Sequence, residues 1–208
     1  MRVRLLHSRI GLRPVQRAKR ASGAWTGLRP ILQTLAFLLL AACSRPAPLP
    51  IMGQVPVFDL VAQDGQPFDS RSLDGRIWVA DFIFTHCDGP CPMMSRHMRN
   101  IQTQSASVRL VSFTVDPARD TPAELAAYAK HFTAQPSRWS FLTGDAARLN
   151  DLALHTFKLN SVDGSLTHST RFVLVDGRRN IRGYYISSED GFLTKLMHDI
   201  RQLEREPS

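Results

Sequence analysis

The stretch IWVADFIF, residues 77–84, is almost continuously apolar and β-favouring, the pattern of a strand buried on both faces. Upstream, PVFDLVAQDGQPF (residues 56–68) splits into two short strand-like pieces around Asp64-Gly65, a hairpin signal. Downstream, Pro92 suits a first helical turn, and Met94, His97/Met98 and Ile101 recur at helical spacing. The cycle then repeats. Residues 108–116 (VRLVSFTVD) read as a strand, and Thr121-Pro122-Ala123-Glu124 is a capping box opening a helix with Leu125, Tyr128/Ala129 and Phe132 on one face. WSFL (139–142) is a third strand, followed by a helix carrying Leu149, Leu152 and Thr156. Strands at 171–175 and 181–186 flank Asp176-Gly177, and a last helix over 192–204 presents Leu193, Leu196/Met197, Ile200 and Leu203.

Strands alternating with helices, then a hairpin and a final helix, predict a thioredoxin-like α/β sandwich with an N-terminal β-hairpin extension. The 208 residues suffice for one domain with a proper core. A formal charge of +8 raises the possibility of nucleic-acid binding, but its location removes it. Arg2, Arg4, Arg9, Arg13, Arg17, Lys19, Arg20 and Arg29 precede Pro30 with no acidic residue among them, and they equal the whole excess. The run ILQTLAFLLLAAC (31–43) follows, shorter than the roughly 20 apolar residues of a membrane span and suited to a signal peptide. Its end, Leu40-Ala41-Ala42-Cys43, resembles the lipobox of bacterial lipoproteins, which implies cleavage before Cys43 and lipid on its sulfur. The expected organisation is a signal over 1–43, a proline-rich tether SRPAPLP over 44–50, and a domain over 51–206, exported to the periplasmic face of a membrane.

With Cys43 lipidated, one pair of thiols remains, Cys87 and Cys91, in FTHCDGPCP (84–92). A single bridge closing so short a loop stabilises little, so chemistry explains the pair better than structure does. At a strand end and a helix start the helix dipole lowers a thiol pKa, and the thiolate is both a nucleophile and a soft metal ligand. The i,i+4 spacing leaves room for an ion between the sulfurs yet permits a disulfide. Two thiolates with imidazole suit copper, with zinc also open. Of seven histidines, His7 lies in the leader, and His97, His131, His155 and His198 lie on predicted helices as ordinary residues. His86, read as a strand end, points away from Cys87. His168 differs, standing in the loop GSLTHST (164–170) before a strand. Met93, Met94 and Met98 read as core rather than ligands.

FTHCDGPCP, TVDPARDTPAEL, FLTGD and LTHSTRFVLVDGRRNIRGYY, in this order, resemble the Sco/SenC proteins over residues 51–205. The resemblance implies a membrane-tethered, copper-binding protein that helps build the dinuclear copper centre of cytochrome c oxidase. Its copper ligands, as Cu(I) or Cu(II), would be Cys87, Cys91 and His168, and Asp116 would orient the site from behind. Partners would be the copper-containing oxidase subunit, a thiol reductant, a second copper chaperone and the membrane, with no nucleic acid. Where the family has C-P-[DE]-x-C-P, this chain has Asp88-Gly89-Pro90 between the cysteines. The competing reading is a periplasmic thiol–disulfide reductase using Cys87 as nucleophile and Cys91 to resolve.

Overall fold

The computed structural model describes residues 47–159 and 170–206. The chain divides after Pro46, and the second unit, Ala47–Ser208, is compact with its own core. It is built on an eight-stranded sheet of order β1-β8-β7-β4-β5-β6-β2-β3. In chain order these are β1 (Gly53–Gln54), β2 (Asp59–Ala62), β3 (Pro67–Asp69), β4 (Trp78–Ile83), β5 (Arg109–Thr114), β6 (Trp139–Thr143), β7 (Arg171–Val175) and β8 (Asn180–Ile186). The helices are α1 (Pro90–Gln104), α2 (Pro122–His131), α3 (Ala146–Asp151) and α4 (Phe192–Leu203); α3 runs directly into a π-helical turn, Leu152–Thr156.

β4, β5 and β6 are parallel neighbours, and β7 returns antiparallel beside β4. All six residues of β4 are buried, which is why its sequence shows no polar alternation. Below one face, Phe82 stacks on Phe113 while Phe157 meets Trp78 and Phe82 edge-on. On the other face Asp81 stands opposite Ser112 in register, and α1 and α2 cover it, joined by the Ser95–Tyr128 hydrogen bond at 3.0 Å. The predicted N-terminal hairpin is present as β2–β3 and extends the sheet beside β6, with Gly65 at φ +76° in its turn. At the β7–β8 turn a Cβ on Gly177 would stand 2.8 Å from the Gly75 backbone, so the two loops can meet only with glycine at 177, while Gly75 supplies a φ of +75°.

α1 begins at Pro90, which takes the first helical position, so Pro92 falls in the first helical turn as the sequence suggests and Cys91 is drawn into that turn too. The end of the tether is fastened to the domain. Gln202 donates to the Ala47 carbonyl at 2.7 Å, Arg182 Nη2 to the Leu49 carbonyl at 2.7 Å, and the Leu49 N–H to Glu206 at 3.2 Å. α4 thus closes with its C-terminal end holding the entering chain.

Candidate metal and thiol site

β4 ends at Ile83, and the chain leaves its C-terminal end through Phe84, Thr85 and His86 to reach Cys87 in the loop before α1. Cys91, the second residue of α1, turns back toward the sheet, so both thiols are buried although the loop residues between them are not. The thiols hydrogen-bond to each other, and the Phe84 backbone N–H donates to Cys91. Burial pushes the Cys91 thiol well above its ordinary pKa; the bond to Cys87 and the charge on Asp81 add to this, and the Phe84 N–H only partly opposes it. This overturns, for Cys91, the expectation of a thiol acidified by the helix start. Desolvation of an enclosed sulfur outweighs the field of one helical turn. Cys91 therefore keeps its proton until a metal or a disulfide partner takes its place.

A buried acid lies behind the pair. Asp81, at the centre of β4, is fully buried and accepts a hydrogen bond from Ser112 at 2.5 Å, and Ser112 in turn accepts from Trp139 Nε1 at 2.9 Å. Its second oxygen has no hydrogen-bond partner among the described residues. Burial, only partly offset by Ser112, raises its pKa to about 7. Nothing in the sequence pattern beyond a lone charge inside an apolar run pointed to it.

The acid that ties down the cysteine loop is Asp120 rather than Asp116. Asp120 is wholly buried and accepts from Thr85 Oγ1 at 2.6 Å, from the Thr85 N–H at 3.2 Å, and from Thr114 Oγ1. It thereby clamps the exit of β4 to the end of β5, one residue pair away from Cys87. Asp116, largely buried, forms an ion pair with the more exposed Arg119, while its carbonyl accepts from the Asp120 N–H at 2.9 Å. His86 is past the strand end, not on it; its Nδ1 lies 2.9 Å from Thr85 Oγ1 and 3.9 Å from Asp120, and its ring is half-exposed. Met94 and Met98 are in the core as expected, but Met93 is 42% exposed, since it falls on the far side of α1 from Cys91. His97 is a packing residue, edge-on to Phe192 at 4.8 Å.

Among the described residues no third His, Cys, Asp or Glu joins the two thiols in a metal-sized cluster. His168 and Cys43 lie outside the described residues. The two soft sulfurs fit a thiophilic ion such as Cu(I).

The family model for SCO1/SenC matches residues 52–203. The chain belongs to the SCO1/SenC family. Solved structures agree with the thioredoxin-like architecture. A SCO1/SenC family lipoprotein from Bacillus anthracis str. Ames is 30% identical with a TM-score of 0.70, covering 76% of this chain and 100% of that one. BsSco, described as a member of the Sco family of cytochrome c oxidase assembly proteins and as carrying a disulfide switch, is 29% identical with a TM-score of 0.68, covering 77% and 99%. Arabidopsis thaliana ScoI with copper bound is 26% identical with a TM-score of 0.60, covering 71% and 98%. This SCO1/SenC chain therefore spans nearly the whole of each of these relatives.

Proposed function

We propose that this SCO1/SenC protein binds copper through Cys87 and Cys91, with His168 as the imidazole donor. It then delivers the metal to the dinuclear copper centre of cytochrome c oxidase, or keeps that centre's thiols reduced. The observation that carries this reading is the pair of buried, mutually hydrogen-bonded thiols at the exit of β4. The copper-bound ScoI relative and the oxidase-assembly description of BsSco support it. Copper is the cargo here. Uptake replaces the thiol protons, so the sulfurs must be reduced beforehand, which calls for a thiol reductant and a copper donor in an oxidising compartment. Lipid on Cys43 would hold the domain at the periplasmic face of a membrane.

The test is a copper titration of the reduced protein beside His168→Ala and Cys87→Ser/Cys91→Ser, read as metal retained against a competing chelator. One copper per chain is expected, weakened without His168 and lost without the thiols. Retention by the cysteine double variant would overturn the assignment.

The closeness of the two sulfurs favours a second reading, thiol–disulfide reduction. Cys87 thiolate would attack a substrate disulfide and form a mixed disulfide; Cys91 would then displace the substrate, leaving a Cys87–Cys91 bridge and two reduced substrate thiols. That route has no use for His168, so His168→Ala with unchanged reductase turnover and no retained copper would establish it instead.

A further inference from the structure

The opposite end of the same three parallel strands carries a cluster of arginines that the copper reading does not use. Arg76 precedes β4, Arg109 opens β5 and Arg138 precedes β6, so adjacent strands, about 4.8 Å apart, start with three guanidinium-bearing residues side by side. Arg109 donates to the Ser137 carbonyl and Arg138 to the Ser105 carbonyl, contacts that fix both side chains without neutralising them. Among the described residues no carboxylate pairs with Arg76, Arg109 or Arg138. The nearby acids are engaged elsewhere: Asp69 with Arg71, Asp74 with Arg179, Asp176 and Glu206 with Arg182, and Glu204 with Ser105 and Ser107. Burial, then the Arg76 and Arg138 charges, lower the Arg109 pKa, and Arg138 Nε is buried without a partner. Like charges are held together here at a cost that a bound anion would relieve.

A place for the anion exists. A cavity of about 210 Å³ is lined by Arg109, Arg138, Ser72, Ser137 and Ser140, with Phe68 at its side. Its surroundings say what kind of anion belongs there. Ile51 and Met52 are 66% and 46% exposed, two of the three exposed large hydrophobics among the described residues. Ile51 lines a neighbouring groove with Gly75 and Ile77, which flank Arg76 in sequence, and with Asp176, Glu204 and Glu206, whose carboxylates are held by Arg182 or by Ser105 and Ser107. Apolar side chains beside unpaired arginines are the makeup of a surface that sits in a lipid headgroup layer. The entering chain is fastened at this end as well, by Arg182 and Gln202, and Cys43 stands only four residues before Ala47.

We propose that this end of the domain docks on anionic phospholipid, with a headgroup phosphate seated between Arg109 and Arg138 and with Ile51 and Met52 dipping among the headgroups. The thiols then face away from the membrane, at the far end of β4. The inference draws on the lipid-tethered reading of Cys43 for its choice of a membrane over a free anion, but docking itself needs no lipid on the chain.

The test uses residues 47–208, which form a compact unit of their own, so that leader and Cys43 play no part. Co-sedimentation with vesicles of phosphatidylcholine alone, and with about a third phosphatidylglycerol, is compared for the parent, Arg109→Gln/Arg138→Gln and a control at the other end, Arg119→Gln. Binding only to the anionic vesicles is expected, weakened roughly 20- to 30-fold in the double variant and by raised salt, and unchanged in the control. Equal binding by the double variant, or equal binding to neutral vesicles, overturns the proposal. A Tm raised by inorganic phosphate in the parent but not in the double variant, without vesicle binding, also overturns it and leaves a free-anion site. Tethering is read separately, by whether full-length Cys43→Ser leaves the membrane fraction in cells, so either idea can fail alone.

Discussion

Beneath the cysteine loop, at the C-terminal ends of β4 and β5, the polar groups are buried and satisfied by one another, whereas at the N-terminal ends of these strands and β6 the arginines are exposed (Arg76) or only partly exposed (Arg109, Arg138) and have no carboxylate partner among the described residues. Asp120 gathers three donors from Thr85 and Thr114 beneath the cysteine loop. Arg76, Arg109 and Arg138 have no carboxylate at all among the described residues. The difference matches the two roles proposed for these ends. A site that exchanges an ion needs fixed sulfurs, so its supporting groups are locked by hydrogen bonds inside the protein. A surface that meets something outside leaves its charge unspent.

The sharpest break in this contrast comes from the thiols. Cys87→Ser/Cys91→Ser removes both soft donors and is expected to abolish copper retention while leaving the arginine end, and its vesicle binding, as they were. Next in size is Arg182→Ala. Its guanidinium is nearly buried between Asp176 and Glu206, at 2.8 and 2.9 Å, and also grips Leu49. Removing it leaves Asp176 uncompensated in a site where burial disfavours its charge, against which the Asn180 and Arg178 N–H groups and Arg182 now hold its carboxyl below the usual range. A loss of about 3–5 kcal/mol in urea unfolding is expected, with the cysteine loop's copper uptake intact in the remaining folded protein.

Asp81 sits between the two ends and gives a pH signature. Its pKa is about 7 folded against 3.8 for the ordinary group, so the folded state holds the proton more tightly than the unfolded state. The stability it supports is full below about pH 4 and is lost as pH rises through 7. Asp81→Asn should flatten this window and raise stability at pH 8, by at most about 4 kcal/mol; thermal melts at pH 5 and 8 check it, and a parent-like slope in the variant would assign the dependence to another group. The smallest effect is expected from Thr85→Val, which deletes one hydrogen bond to the buried Asp120 carboxylate for about 1.5–3 kcal/mol. It should also weaken copper binding, because the residue lies two positions before Cys87; unchanged affinity would mean that the clamp serves the fold alone.

Much of this molecule was legible in its chain. An almost continuous apolar run marks β4 because a strand covered on both faces has little polar side to show. Thr121 caps α2 as its sequence demands, accepting from the Glu124 N–H at 3.3 Å. Cys87 and Cys91 stood out by residue type and spacing alone. Other features needed the third dimension. Two prolines, Pro90 and Pro92, both suit a helix start, and only packing decided that the earlier one opens α1 and encloses Cys91. Motif VDPARD offers two aspartates, and the register of β5 against β4 decided that Asp120, not Asp116, reaches Thr85. Enclosure of Cys91 reversed the pKa direction that a helix start implies, because desolvation depends on every neighbour and not on the local segment. Arg76, Arg109 and Arg138 are far apart in sequence and unremarked there. The sequence by itself determined the strands, the helices and the thiol pair, since these follow from local pattern and chemistry. Tertiary structure alone decided which acid, which charges and which end of the sheet serve them, since parallel strands bring their starts to one edge and their ends to the other.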